Sequence, residues 1–262
     1  MMILIKGAGD LASGTAVRLF HCGYRIVMTD LPYPTSIRRT VCFSEAILHG
    51  TASVEDVEAE YASGFDAVEW ILSSGKIAVL ADPGAHSVAA LHPHVIVDAI
   101  LAKRNLGTKI TDAPIVIALG PGFSAGIDCH AVIETMRGHD LGRVIYQGAA
   151  APNTGIPGNI AGFSSERVLR SPADGVFSEI HHIGEIVNKG DLIAQVDGVK
   201  IQSPFCGVIR GLLPTGTPVT KGMKCGDVDP RSVASNCMTV SDKARAIGGG
   251  VLEAILTLER RM

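Results

Sequence analysis

MILIKGAGDLASGTAVRLFHCG, residues 2–23, sets a short apolar run against a glycine-rich turn and then a helical pattern. MILIK shows no polar–apolar alternation, so it predicts a strand covered on both faces. Gly7, Gly9 and Ala12 follow at the spacing GxGxxA. Gly7 permits a tight turn, and Gly9 lets the backbone approach a pyrophosphate. The helix behind them offers free N–H groups and a partial positive charge. Asp30 closes the next apolar run, YRIVMTD, where a carboxylate can accept ribose hydroxyls. Asp10 would lie near the same phosphates and repel them.

The alternation continues along the first half. IAVLADPG, HVIVDA and APIVIALGPG predict further buried strands, each flanked by glycine or proline. Strands alternating with helices imply right-handed crossovers. Residues 1–165 are therefore expected to form a Rossmann-like, doubly wound, mostly parallel sheet. SVEDVEAEY within this region fits either a helix or an edge strand.

After about residue 165 helical periodicity stops, and the segment beginning at Ser171 recurs at Ser203, an offset of 32 residues without a gap. Gly175 aligns with Gly207, Gly184 with Gly216, Val187 with Val219, Lys189-Gly190 with Lys221-Gly222, and Asp197 with Asp229. Duplicated units bury a shared core. Two copies suggest a small closed all-β unit over 166–232, similar to the biotinyl/lipoyl-like (hammerhead) barrel. In such carriers a lysine at the hairpin tip is modified. Here Lys200 follows the Asp197-Gly198 turn in the returning strand with no methionine beside it, so neither biotin nor lipoate is expected. Residues 233–262 return to helix, with Ser241 as N-cap, and are expected to pack on the first domain.

Bulk properties exclude several functions. The chain has 262 residues, a formal charge of -3 and 47% apolar residues, with no basic run or acidic tail. That argues against nucleic acid or an acidic membrane as partner. The N-terminus lacks the basic region of a signal peptide, and no segment approaches the roughly 18 apolar residues of a membrane span. The six cysteines have no CxxC spacing, so a cytoplasmic, reduced protein is the simplest expectation.

Candidate ligand-binding residues gather at strand ends, because open parallel sheets bind ligands at the carboxyl edge. Gly7, Gly9, Asp30, the Asp82-Pro83-Gly84 turn, Asp98, Gly120 and Gly122 all follow apolar runs. Lys103 and Arg104 form a basic pair after Asp98, either a phosphate clamp or a solvated helix end. Arg38 and Arg39 invite the same two readings. Gly120 and Gly122 suggest an anion-binding nest of N–H groups.

Residues 128–138 predict a helix capped by Asp128 and ended by Gly138. Cys129, Val132, Ile133 and Met136 would form its buried face, and His130, Glu134 and Arg137 one polar stripe. That stripe fits a ligandless i, i+4 surface pair, a metal pair needing a third ligand such as His139, or an anion-holding wall. The wall is preferred. Cys129, on the apolar face, is not expected to act as a nucleophile.

KGAGDLASG, IRRTV, DAILAKRNLGT, ALGPGF, HAVIETMRGHDLGRVI, PNTGIPGNI, ERVLRSPADGVF, GMKCGDVDPR and SDKARAIGGGVLEAIL together resemble the YqeB-type accessory proteins of the selenium-dependent molybdenum hydroxylase system. The resemblance covers nearly the whole chain and brings no catalytic residues. It implies a maturation factor with a molybdenum hydroxylase as partner. The cofactor would be a dinucleotide or molybdopterin, held through its phosphates at the Gly7 turn or the Gly120 nest. The competing expectations are an NAD(P)-dependent oxidoreductase, with His130 as proton donor, and a non-catalytic docking adaptor. The barrel would dock the target enzyme or a second copy of the chain in a homo-oligomer.

Overall fold

The computed structural model describes residues 1–261, which divide into two compact units. The first comprises 1–34, 42–154 and 240–262, and the second 35–41 and 155–239. The first unit thus ends nearer residue 154 than 165, and the segment containing Arg38 belongs with the second.

The first unit holds β1 (Met2–Lys6), β2 (Arg25–Asp30), β3 (Thr51–Val54), β4 (Val57–Tyr61), β5 (Ile77–Ala81), β6 (Val95–Asp98), β7 (Ile115–Leu119), β8 (Ala131–Ile133) and β9 (Val144–Ile145). Its helices are α1 (Asp10–His21), α2 (Glu45–His49), α3 (Phe65–Ser73), α4 (Ser87–Leu91) and α5 (Asp242–Glu259). The strands form one nine-stranded sheet in the order β3-β4-β5-β2-β1-β6-β7-β8-β9. Pairing is parallel from β4 through β8 and antiparallel at both edges, β3–β4 and β8–β9.

The second unit holds β10 (Val168–Arg170), β11 (Gly175–Glu179), β12 (Ile186–Val187), β13 (Leu192–Val196), β14 (Val199–Gln202), β15 (Gly207–Leu212), β16 (Pro218–Val219) and β17 (Lys224–Asp229). They form two four-stranded sheets, β10-β17-β15-β12 and β14-β13-β11-β16.

This architecture overturns the expected fold class. A large mixed sheet with two separate antiparallel sheets stands in place of a Rossmann-like doubly wound sheet plus a biotinyl/lipoyl-like barrel. One cause lies in the crossovers. Residues 99–114 and 120–130 join β6 to β7 and β7 to β8 without a helix, so helices do not alternate along the whole sheet. Another lies in SVEDVEAEY, which turns at Glu55 (φ +56°) and folds back as the β3–β4 hairpin.

The 32-residue offset reappears as exchange of strands between the two sheets. β11 of the first copy pairs with β16 of the second, and β15 of the second with β12 of the first. Phe177, Ile193, Ile209 and Val228 fill the core beneath them. Lys200 lies exposed in β14 after the Asp197-Gly198 turn.

The glycines of α5 have a packing cause. A Cβ on Gly14 of α1 would fall 2.6 Å from the Ala244 Cβ and 2.7 Å from Val240 Cγ1. Gly248 meets Thr15 and Arg18, each at 3.3 Å from its own would-be Cβ. Small residues therefore let α1 and α5 run side by side in the same direction. Their N-termini lie together at the carboxyl edge of the sheet, beyond β1. α5 begins at Ser241, whose hydroxyl accepts from the Ala244 N–H at 3.2 Å, whereas no side chain caps α1.

Candidate functional site at the carboxyl edge

From β1 the sheet grows through β2 and β5 on one side and through β6, β7 and β8 on the other. The ends of β1 and β6 flank the point of reversal, the usual place for a ligand crevice in open sheets with helical crossovers. Gly7 takes φ +98°, and a Cβ there would stand 2.8 Å from the Ala99 carbonyl oxygen. The turn is thus shaped by contact with the β6 side. Gly9 precedes α1 in extended conformation.

Most of the expected ligand residues serve the backbone. The Asp30 carboxylate accepts from the Ala8 N–H and the Leu31 N–H, both at 2.8 Å, and burial raises its pKa. It fastens the Gly7–Gly9 turn instead of standing open for a ribose. Asp98 is buried, accepts the Thr108 hydroxyl at 2.6 Å and the Ile100 N–H at 3.2 Å, and is also raised by burial. Thr108 in turn accepts from the buried Lys6 ammonium at 2.9 Å, so this chain holds the 99–114 loop down. Asp82, the remaining strand-end acid, caps the start of α4 through the His86 and Ser87 N–H groups.

The Gly120 nest is closed. The Gly120 N–H donates to the Ile133 carbonyl at 2.9 Å, and a Cβ there would meet Thr135 Oγ1 at 2.5 Å. A Cβ on Gly122, at φ +108°, would stand 2.6 Å from Arg104 backbone. These glycines bring loops together. Lys103, exposed and at φ +63°, lies on the loop packed there and not at a helix end.

The helix expected over 128–138 is absent. Ala131–Ile133 form strand β8 inside the sheet, and Asp128 instead accepts from the Ser124 N–H at 2.7 Å and from Asn105 at 3.3 Å. His130 therefore shares no helical face with Glu134. Its Nδ1 accepts the Val116 N–H at 2.9 Å, and burial lowers its pKa. Glu134, 6% exposed, accepts from the Met136 N–H at 2.7 Å and the Ala151 N–H at 2.8 Å. Arg137 forms a two-pronged pair with Asp242 of α5 at 2.7 and 2.9 Å. Burial pushes the Cys129 thiol up to about 12. Among the described residues no group of three or more His, Cys, Asp or Glu could hold a metal ion.

One residue not singled out from the sequence completes the picture. Lys243, in the first turn of α5, is half-buried and makes no hydrogen bond or ion pair within the described residues. Burial lowers its pKa, with Arg137 adding to the effect and Asp10, Glu134 and Asp242 opposing it. A lysine at a helix N-terminus faces the positive end of the dipole. That unfavourable placement was a signal available in SDKARAIGG. Glu134 also lines a nearby cleft of about 330 Å³ with Asp140, Arg143, Val144, Ile145, Tyr146 and Gln147.

No protein-family model matches the chain. It is 49% identical over 257 residues to the uncharacterized protein YqeB of Escherichia coli strain K12, covering 98% of this chain and 48% of that protein. The chain thus resembles YqeB along nearly all of its own length while spanning about half the length of that curated relative. Among solved structures, an aspartoacylase family protein from Mesorhizobium loti aligns at 11% identity and a TM-score of 0.29, over 87% of this chain and 84% of that one. A succinylglutamate desuccinylase from Silicibacter aligns at 13% and 0.26, over 87% and 84%. The ectoine utilization protein EutE of Ruegeria pomeroyi aligns at 14% and 0.23, over 78% and 57%.

Proposed function

We propose that the chain binds a small phosphate-bearing molecule at the carboxyl edge of its parallel strands, and that it acts as an accessory factor in maturing molybdenum hydroxylases. The observation that carries the binding half is Lys243. An ammonium group without an ion-pair partner stands beside two neighbouring helix N-termini, one of them uncapped. Helix N-termini and a lysine together attract phosphate oxygens. The accessory half rests on the sequence resemblance to YqeB-type proteins. A hydride-transferring reading has less support, because Asp30 and His130 are both engaged with backbone N–H groups.

The test is calorimetry of the whole chain with pyrophosphate, ATP and a pterin phosphate, alongside mass spectrometry of natively purified protein. Lys243→Gln should weaken the bound phosphate compound at least about tenfold, roughly 1.4 kcal/mol, without lowering Tm. Equal affinity in wild type and variant would remove this site. A natively purified chain that carries no ligand and binds none of the three would remove the binding function.

A further inference from the structure

The second unit carries a different arrangement of charge. Val228 of β17 points into the core, and Asp227 and Asp229 on either side of it take the opposite face. Across from them β15 has a bulge. Ile209 pairs with Val228 and Gly211 with Asp227, leaving Arg210 as the extra residue. Bulges re-aim a side chain, and here the bulge accompanies a guanidinium directed at Asp229, to which Nη1 donates at 2.9 Å.

Asp229 has no room for more. Its Oδ2 also accepts from Arg231 Nη2 at 2.6 Å, and its Oδ1 from Arg231 Nε at 2.9 Å and the Arg231 N–H at 3.0 Å. Four donors fill the roughly four lone-pair positions of a carboxylate. Asp227 accepts both its bonds from Arg167 Nη1, at 2.7 and 2.9 Å.

Arg210 is 7% exposed, yet its bond to Asp229 uses one of a guanidinium's five N–H donors, and its Nε has no partner among the described residues. The Arg38 guanidinium adds like charge beside it. A buried cation with unanswered donors, next to a second cation and with its nearest carboxylate saturated, matches the surroundings of a bound oxyanion.

We propose that the second unit binds a phosphate-class oxyanion at Arg210, with Arg38 and Arg231 beside it. Arg231 is 40% exposed in its side chain and marks the open rim by which the anion arrives. The site lies within the second unit and is independent of Lys243 in the first.

Thermal unfolding of the full chain tests it, with inorganic phosphate titrated against chloride of matched ionic strength. A ligand that binds the folded state alone raises Tm with its concentration. Wild type and Lys243→Gln should both rise with phosphate beyond the chloride control. The Arg210 variants are made in the Lys243→Gln background, which lacks the first-unit site, and there Arg210→Met should show no such rise. Arg210→Lys keeps the charge but loses the fork, and its apparent Kd should increase at least tenfold. It decides the matter if Arg210→Met does not fold. A nucleoside monophosphate run in parallel tells the source of the phosphoryl group. The tighter of the two names it, and binding of either supports the site. The proposal is overturned by a rise no larger than with chloride, by one that survives Arg210→Met in the Lys243→Gln background, by one lost in Lys243→Gln alone, or by unchanged affinity in Arg210→Lys in that background.

Discussion

The carboxyl edge of the first unit and the Asp227–Asp229 face of the second both bury several charged groups, but the partners differ. At the edge, Asp30, Asp82 and Glu134 accept from backbone N–H groups, as the His130 ring does at the opposite, amino end of β8, so they fix loops and strands. On the other face, Asp227 and Asp229 accept chiefly from arginine side chains. A carboxylate that answers backbone donors is bound to the fold. One that answers side chains can share them with a ligand. Function is therefore sought in the first unit at Lys243, half-buried at a helix N-terminus, and in the second at Arg210, whose donors are not all answered.

The comparison breaks most visibly at Asp229. Asp229→Asn removes the charge shared by Arg210 and Arg231 and leaves a buried guanidinium uncompensated, at a cost of about 3–5 kcal/mol. Denaturant unfolding should register that loss. The arginine contacts hold the Asp229 carboxyl down to about 2, against an ordinary value of 3.8. Its folded-state pKa is depressed, so its stabilisation is present above about pH 4 and disappears as pH falls toward 2. Asp229→Asn should flatten that part of the acid limb. A milder loss with an unchanged limb would mean that the pair is an ordinary surface contact.

Gly14→Leu sharpens the first-unit side. The added side chain must displace Ala244 and Val240, which overpacking values place at about 1–3 kcal/mol. It moves the start of α5, and Lys243 with it, while leaving the backbone-serving carboxylates in place. Ligand affinity should fall together with stability. Stability lost with affinity intact would detach the ligand from α5.

How much of this was legible in the sequence depended on what each residue answers to. Strands such as MILIK and PIVIAL were readable because both faces are buried and the whole run is apolar. Cys129, Val132, Ile133 and Met136 also satisfied a helical spacing, but Ala131 fills the gap with a third consecutive apolar residue. The run Ala131–Ile133 is a three-residue strand between β7 and β9. Spacing cannot separate the two when a central strand is that short. The glycine at position 120 was readable as a turn residue, but its close partner Thr135 comes from another loop. Lys243 was detectable as a lysine on the wrong end of a helix. Arg210 was not, because the bulge that aims it is a property of pairing with β17.

The smallest effect belongs to His130, and it separates the two regions by pH. Its Nδ1 accepts the Val116 N–H, so the ring must be unprotonated there. Burial holds its pKa below the ordinary 6.5. Above pH 6.5 both folded and unfolded imidazole are neutral and the bond is intact. As pH falls below 6.5 the unfolded chain takes up the proton first, so stability declines until the folded pKa is passed. His130→Ala should cost about 1 kcal/mol at pH 7.5, the value of one hydrogen bond, and should lose most of that decline. The loss falls at a higher pH than the Asp229 limb, so one series of unfolding curves from pH 8 to pH 2 resolves both. A wild-type curve that is flat between pH 6.5 and 5 would show that the ring does not hold the β7 backbone, and would return His130 to the set of groups available to a ligand.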